Sequence, residues 1–131
     1  MGGAIVCKNN ANPRLEKLEI FGSQALYGGG IAISESSPSI EDVLISDTYV
    51  RDRGAGIYMI NSNSSIRLVT LTAGVAQDFG GGIYMSNSSP YIEYTSIYGN
   101  ESNRGGGVYS EYSTPLLRHV TIYQNSALRK G

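Results

Sequence analysis

The sequence is poor in the residue types that most often carry chemistry. Its one cysteine, Cys7, excludes an intramolecular disulfide. Its one histidine, His119, leaves a nucleophilic triad unsupported. Charged residues make up 16% of the chain and the formal net charge is −1, so the basic footprint that nucleic-acid binding needs is missing. No run approaches the 18 apolar residues of a membrane span. The first residues also lack the basic stretch followed by an apolar segment that marks a signal peptide. Proline is scarce as well, with four residues against seventeen glycines. The glycines are what is there, and they are not scattered.

Glycine-led blocks begin at Gly2, Gly28, Gly54, Gly80 and Gly105, with spacings of 26, 26, 26 and 25 residues. A fixed period in this range decides architecture before any local reading can. Pro38, Pro90 and Pro115 stand ten residues after their block starts, and Ser64 takes that place in the third copy. Pro13 sits one residue late, so an extra residue in one turn of the first copy must be offset by a shorter later turn.

Within each copy the apolar residues alternate in short runs, which predicts strands and no substantial helix. Ile5, Ile31, Ile57, Ile83 and Val108 form one column, and Cys7, Ile33, Met59, Met85 and Ser110 the next. Three further columns start at Leu15, Leu18 and Ile20, and the small residues Ala25, Val50, Ala76, Ser102 and Ala127 fit a sixth inward position at a tight corner. Columns that recur once per copy mean that each copy is one coil, stacked about 4.8 Å from the next by parallel pairing. The expected fold is all-β: a right-handed parallel β-helix of five coils in one domain spanning 1–131, without dedicated caps.

The Gly-Gly-Gly-Ile-Tyr, Ser-Ser-Pro and Ile-Tyr-x-Asn motifs resemble the repeats of pectate-lyase-like right-handed β-helix proteins, over the whole chain. Gly2-Gly3-Ala4-Ile5 also resembles the glycine-rich repeats of bacterial surface proteins such as the chlamydial polymorphic outer-membrane proteins. Their Phe-x-x-Asn motif is approximated, one residue shorter, by Tyr98-Gly99-Asn100 and Tyr123-Gln124-Asn125. The resemblance implies adhesion or polysaccharide handling, and an extracellular or cell-surface location. The repeat itself shows neither.

Function must then lie on outward positions. Tyr58, Tyr84 and Tyr109 share a column with Val6 and Ala32, and stacked rings on a flat sheet would offer a platform to sugar faces. Phe21, Tyr98 and Tyr123 make a second, partial aromatic column. Ser36, Ser62, Ser88 and Ser113 are expected to satisfy backbone donors in the turns. Asp52 and Asp78 fall at the same offset on adjacent coils, with Arg51, Arg53 and Arg104 in the same corner region, and are the only candidates for catalytic carboxylates. Two carboxylates fall short of a metal site, so neither metal nor cofactor is expected. His119 shares its column with Tyr94, Leu68, Asp42 and Lys17, a variety that points to an exposed turn. Cys7 is expected to be buried or on an end face, and Asn63, Asn87 and Asn100 each open an Asn-x-Ser sequon.

Both ends expose apolar columns and unpaired strand edges, because no capping repeat is visible. Association through these ends, as a homo-oligomer, is the expected consequence. The leading functional expectation is a non-catalytic repeat scaffold of a bacterial surface or secreted protein that binds polysaccharide or protein through stacked faces. The alternative is a carbohydrate-active β-helix enzyme, a lyase, hydrolase or epimerase, or a fragment of one.

Overall fold

A computed structural model describes residues 2–130, the side chain of Lys130 excepted. Every coil contributes three strands. The first holds β1 (Ile5–Lys8), β2 (Arg14–Phe21) and β3 (Gln24–Tyr27), and the second β4 (Ile31–Ser34), β5 (Ser39–Ser46) and β6 (Tyr49–Arg53). The third holds β7 (Ile57–Ile60), β8 (Ser65–Thr72) and β9 (Val75–Phe79). The fourth has β10 (Ile83–Ser86), β11 (Tyr91–Tyr98) and β12 (Glu101–Arg104), and the fifth β13 (Val108–Glu111), β14 (Leu116–Tyr123) and β15 (Ser126–Lys130). Stacking like on like gives three parallel five-stranded sheets: A from the first strand of each coil, B from the second and C from the third. The described residues contain no helix.

Register follows the apolar columns. Ile31 pairs with Ile57 and Ile57 with Ile83, Ile40 with Ile66, and Val50 with Ala76. Inward side chains of sheets A and B make one continuous core from Cys7 and Ile20 to Ile97. Val50, Ala55 and Ala76 fill the narrower corner beneath sheet C. In the middle coils Ile31, Ile57, Met59, Ile83 and Met85 are wholly buried. At about 1.5–3 kcal/mol for each such side chain, this stripe is the main favourable term in the fold. Cys7 belongs to it, and burial pushes its thiol pKa up, so it behaves as an inert core residue.

The extra residue before Pro13 is absorbed as expected. Partners are 26 apart between β1 and β4, 25 apart between β2 and β5, and 26 apart again at Tyr27 and Arg53. The correction falls at the end of β3, where sheet C changes register. That corner holds an additional residue in β6 and β9 which β3 and β12 lack.

Each coil bends where a residue takes the left-handed conformation. Gly28, Gly54, Gly80 and Gly105 do so at the corner from sheet C to sheet A, with φ of 61° to 67°. Two residues later space forbids a side chain: a Cβ on Gly30 would lie 2.6 Å from the Gly56 carbonyl oxygen of the next coil. A second bend splits every strand of sheet B at Lys17, Asp42, Leu68, Tyr94 and His119, all with positive φ. His119 is therefore an exposed bend residue, stacked on Tyr94 with ring centroids 5.0 Å apart.

Polar ladders finish the turns. The Ser88 hydroxyl accepts the Ser62 N–H and donates to the Ser86 carbonyl, and Ser113 repeats the pattern one coil on. Between sheets B and C, the Asn100 side chain accepts the Gly74 N–H and donates to the Leu71 carbonyl, while Asn125 does the same for Asn100 and Ile97. Asn100 is buried in this role, so its sequon is structural, whereas Asn63 and Asn87 are exposed.

Candidate functional site

The tyrosine column forms in the expected register, with Tyr84 paired to Tyr58 and to Tyr109. The rings are stacked, Tyr58 on Tyr84 at 5.4 Å and 11° and Tyr84 on Tyr109 at 5.8 Å and 5°. They are not an open platform. Tyr84 is 1% exposed and Tyr58 7%, and together with Ala32 they form a second apolar cluster outside the coil, packed against Tyr27, Ile60, Phe79 and Tyr109. The cover comes from the ends of sheet C strands. Phe79 closes on Tyr109 at 4.6 Å, and Tyr27 leans on Tyr58 at 5.2 Å. A residue that points away from the coil has here been roofed by its neighbours across the glycine corner. Stacked rings also give their faces to one another, which removes the surface that a sugar ring would stack on.

Arg53 is the keystone of the roof. Its guanidinium lies 5.2 Å from the Tyr84 ring centroid and 5.3 Å from that of Phe79, with Arg104 on Phe79 as well. Arg53 Nη1 donates to the Tyr84 hydroxyl at 3.2 Å, and its Nε to Asp52 Oδ1 at 2.9 Å. The Tyr84 hydroxyl in turn donates to Glu111 Oε1. Burial first, then the hydrogen bond to Glu111, pushes the Tyr84 pKa up to about 12. Burial also raises that of Tyr58. Desolvation pulls Arg53 down, but Tyr84 and Asp52 together outweigh it and hold the guanidinium more firmly charged.

Asp52 and Asp78 occupy the additional corner residue of β6 and β9, so their column has no counterpart in β3 or β12. Asp52 is committed to Arg53 at the roof. Asp78 is exposed and lines a hollow on sheet C. The structure gives the two carboxylates different partners and does not combine them into one acid–base pair. Among the described residues no group of three His, Cys, Asp or Glu side chains is placed to hold a metal ion. The three arginines part in the same way, since Arg53 and Arg104 lie on Phe79 whereas Arg51 lines a different hollow on sheet C.

That outer face of sheet C is the feature that the sequence reading passed over. Two open hollows of about 410 and 390 Å³ lie on it and share Tyr49. Tyr49 is 37% exposed, and its hydroxyl accepts a 2.6 Å hydrogen bond from Gln77 Nε2 on the next coil. One hollow is lined by Gln24, Leu26 and Arg51. The other is lined by Gln77, Asp78, Glu101 and Asn103. The available signal was the polar alternation around Ala25, Val50, Ala76 and Ser102, which places Gln24, Tyr49 and Glu101 outward in one column and Leu26, Arg51 and Gln77 in the next.

The model of the right-handed beta helix region matches residues 3–129. The chain belongs to the right-handed β-helix family. Searches of curated proteins and of solved structures gave no match. Family membership fixes the coil and its hand and leaves the β-helix surface to be read by its own chemistry. On sheet B of this β-helix that chemistry is mostly spent internally. Arg67 bridges Glu41 at 2.9 Å and Glu93 at 3.1 Å across three coils, and Tyr98 stacks on Tyr123 at 5.0 Å.

Proposed function

We propose that this β-helix is a non-catalytic repeat scaffold of a bacterial surface or secreted protein, binding glycan or protein through an outward face. The observation that carries the reading is the fate of the two candidate carboxylates. Asp52 is neutralised by Arg53, and Asp78 stands apart from it in a hollow on sheet C whose wall also carries Gln77, Glu101 and Asn103. An acid–base mechanism on a sugar needs two groups with opposed protonation roles held across one bond. In this reading Tyr58, Tyr84 and Tyr109 brace sheet A, and the ligand face lies elsewhere.

The test is to incubate the chain with acidic and neutral polysaccharides while following both binding and release of unsaturated uronide or reducing ends. Binding without turnover is the expected result. Turnover that is abolished by Asp78→Asn would replace the scaffold with the carbohydrate-active enzyme.

Self-association through terminal coils belongs to the same proposal. Leu117 and Ile122 of the fifth coil are each 46% exposed, and Ile5, Leu15 and Leu18 of the first are only partly buried. These residues continue the same columns, so a second copy stacked end to end would extend the core in register. Sedimentation of the 131-residue chain should show mass rising with concentration. A monomer throughout a wide concentration range would remove this element.

A further inference from the structure

We propose that the outer face of sheet C is a binding trough for a linear glycan of neutral or amine-bearing sugars, lying along the coil axis, and that it discriminates against uronic acids. This rests on the scaffold reading above and gives it a site and a ligand class.

Shape comes first. The two hollows are consecutive, meet at Tyr49, and run across the strands from Leu26 on the first coil to Leu128 on the fifth. Four strand spacings of about 4.8 Å give a length of about 19 Å. A trough of that form suits an extended polymer whose repeat is close to one coil. It does not suit a compact small molecule, because both hollows are open along their length.

Lining chemistry comes second. Tyr49 is the partly exposed ring where the two hollows meet, and unlike Tyr84 it has no stacking partner among the described residues. Exposed tyrosine surface is what the C–H face of a sugar packs on. Around it stand the amides of Gln24, Gln77 and Asn103. An amide offers a donor and an acceptor side by side, which matches the hydroxyls of a sugar whichever way each one points. Gln77 is already held at 2.6 Å by Tyr49, so one amide is oriented before any ligand arrives.

Charge decides the class of sugar. Among the described residues, Asp78 and Glu101 line one hollow with no basic side chain on its wall, and Arg51 lines the other. The described lining of the trough thus carries two carboxylates, Asp78 and Glu101, against one guanidinium, Arg51. A polyuronate laid along it would bring carboxylates against Asp78 and Glu101, where like charges repel. An ammonium group of a hexosamine would meet them favourably, and a neutral sugar would use them as hydrogen-bond acceptors. A lysine-rich peptide could satisfy the two carboxylates but would leave the Tyr49 face and the amides without sugar-like partners. The lining therefore favours the glycan.

The experiment is calorimetric titration of the full chain with glucosamine hexasaccharide, cellohexaose and hexagalacturonate, repeated on Tyr49→Ala and, as a control on sheet B, Tyr123→Ala. The glucosamine and cellulose oligomers should bind, with hexagalacturonate at least about tenfold weaker. Tyr49→Ala should weaken binding about tenfold with an unchanged melting curve, and Tyr123→Ala by less than about twofold. Hexagalacturonate binding as tightly as the others, a Tyr49→Ala variant of full affinity, or a lysine-rich peptide displacing the bound sugar from the same site would each overturn the trough. Those results would leave the scaffold reading in place. Failure of all three oligosaccharides to bind would also overturn the trough, and the scaffold reading would then rest on a protein ligand. Hydrolysis or elimination of a bound oligosaccharide would instead overturn the scaffold reading and keep the trough.

Discussion

Sheets A and C both turn a tyrosine away from the core of the same β-helix, and the two residues end in opposite surroundings. Tyr84 is 1% exposed under Arg53 and Phe79, whereas Tyr49 is 37% exposed between two hollows. The difference arises at the glycine corner. There sheet C feeds directly into sheet A, and the last residues of β3, β6 and β9 lean onto sheet A tyrosines one or two coils further on, Tyr27 on Tyr58, Arg53 on Tyr84 and Phe79 on Tyr84 and Tyr109. The beginnings of sheet C strands, Gln24, Tyr49 and Glu101, have no such neighbour and stay open. Pointing outward is a property of the strand, and being exposed is a property of what the next corner carries.

The largest expected effect on this comparison comes from truncating the two rings. Tyr84→Ala should lose about 3–5 kcal/mol in denaturant melts, because it empties a stacked and roofed site. Tyr49→Ala should stay within about 0.5 kcal/mol. Equal losses would mean that the two faces do not differ as described.

Alkaline titration is the next way to break it. The Tyr84 pKa is raised to about 12 from an ordinary 10. A raised pKa means that its contribution is fully present below pH 10 and is lost as the pH climbs through about 12. Two units correspond to about 2–3 kcal/mol of stability. Tyr84→Phe should flatten that limb of the stability profile, as followed by urea midpoints between pH 9 and 12, and an unchanged limb would assign it to other groups.

Arginine pairs sharpen the contrast further. Arg53→Met should cost about 1–2 kcal/mol through loss of the bonds to Tyr84 and Asp52, while Arg51→Met should change thermal stability by less than about 0.5 kcal/mol. The smallest effect lies in a turn remote from both faces. Ser64 is buried where Pro38 and Pro90 are also buried, and its carbonyl accepts the Tyr91 N–H much as that of Pro90 accepts the Leu116 N–H. Ser64→Pro should therefore stabilise by about 0.4–1 kcal/mol, set against loss of its contact with Ser62, and should leave Tyr49 and Tyr84 untouched.

Much of the coil was legible in advance because parallel stacking in register forces like positions onto like. Ile31, Ile57 and Ile83 can be aligned on paper, and the wholly buried core is that alignment. The slip at Pro13 and its recovery at Tyr27 were readable for the same reason. The roof on Tyr84 was not, since Phe79 and Arg53 reach it from sheet C and from earlier coils, and no column records a contact across a corner. Asp52 and Asp78 looked like a pair because they share an offset. Their partners were decided by a corner residue that only some coils possess, which sends Asp52 to Arg53 and leaves Asp78 with the trough.

By itself, then, the sequence determined the period, the six inward columns and the sheets they make. These depend only on alternation along a strand and on repetition between coils. The tertiary structure alone decided which outward faces are open. That depends on how far side chains such as Phe79 and Arg53 reach around a bend, and on which of their neighbours they meet there.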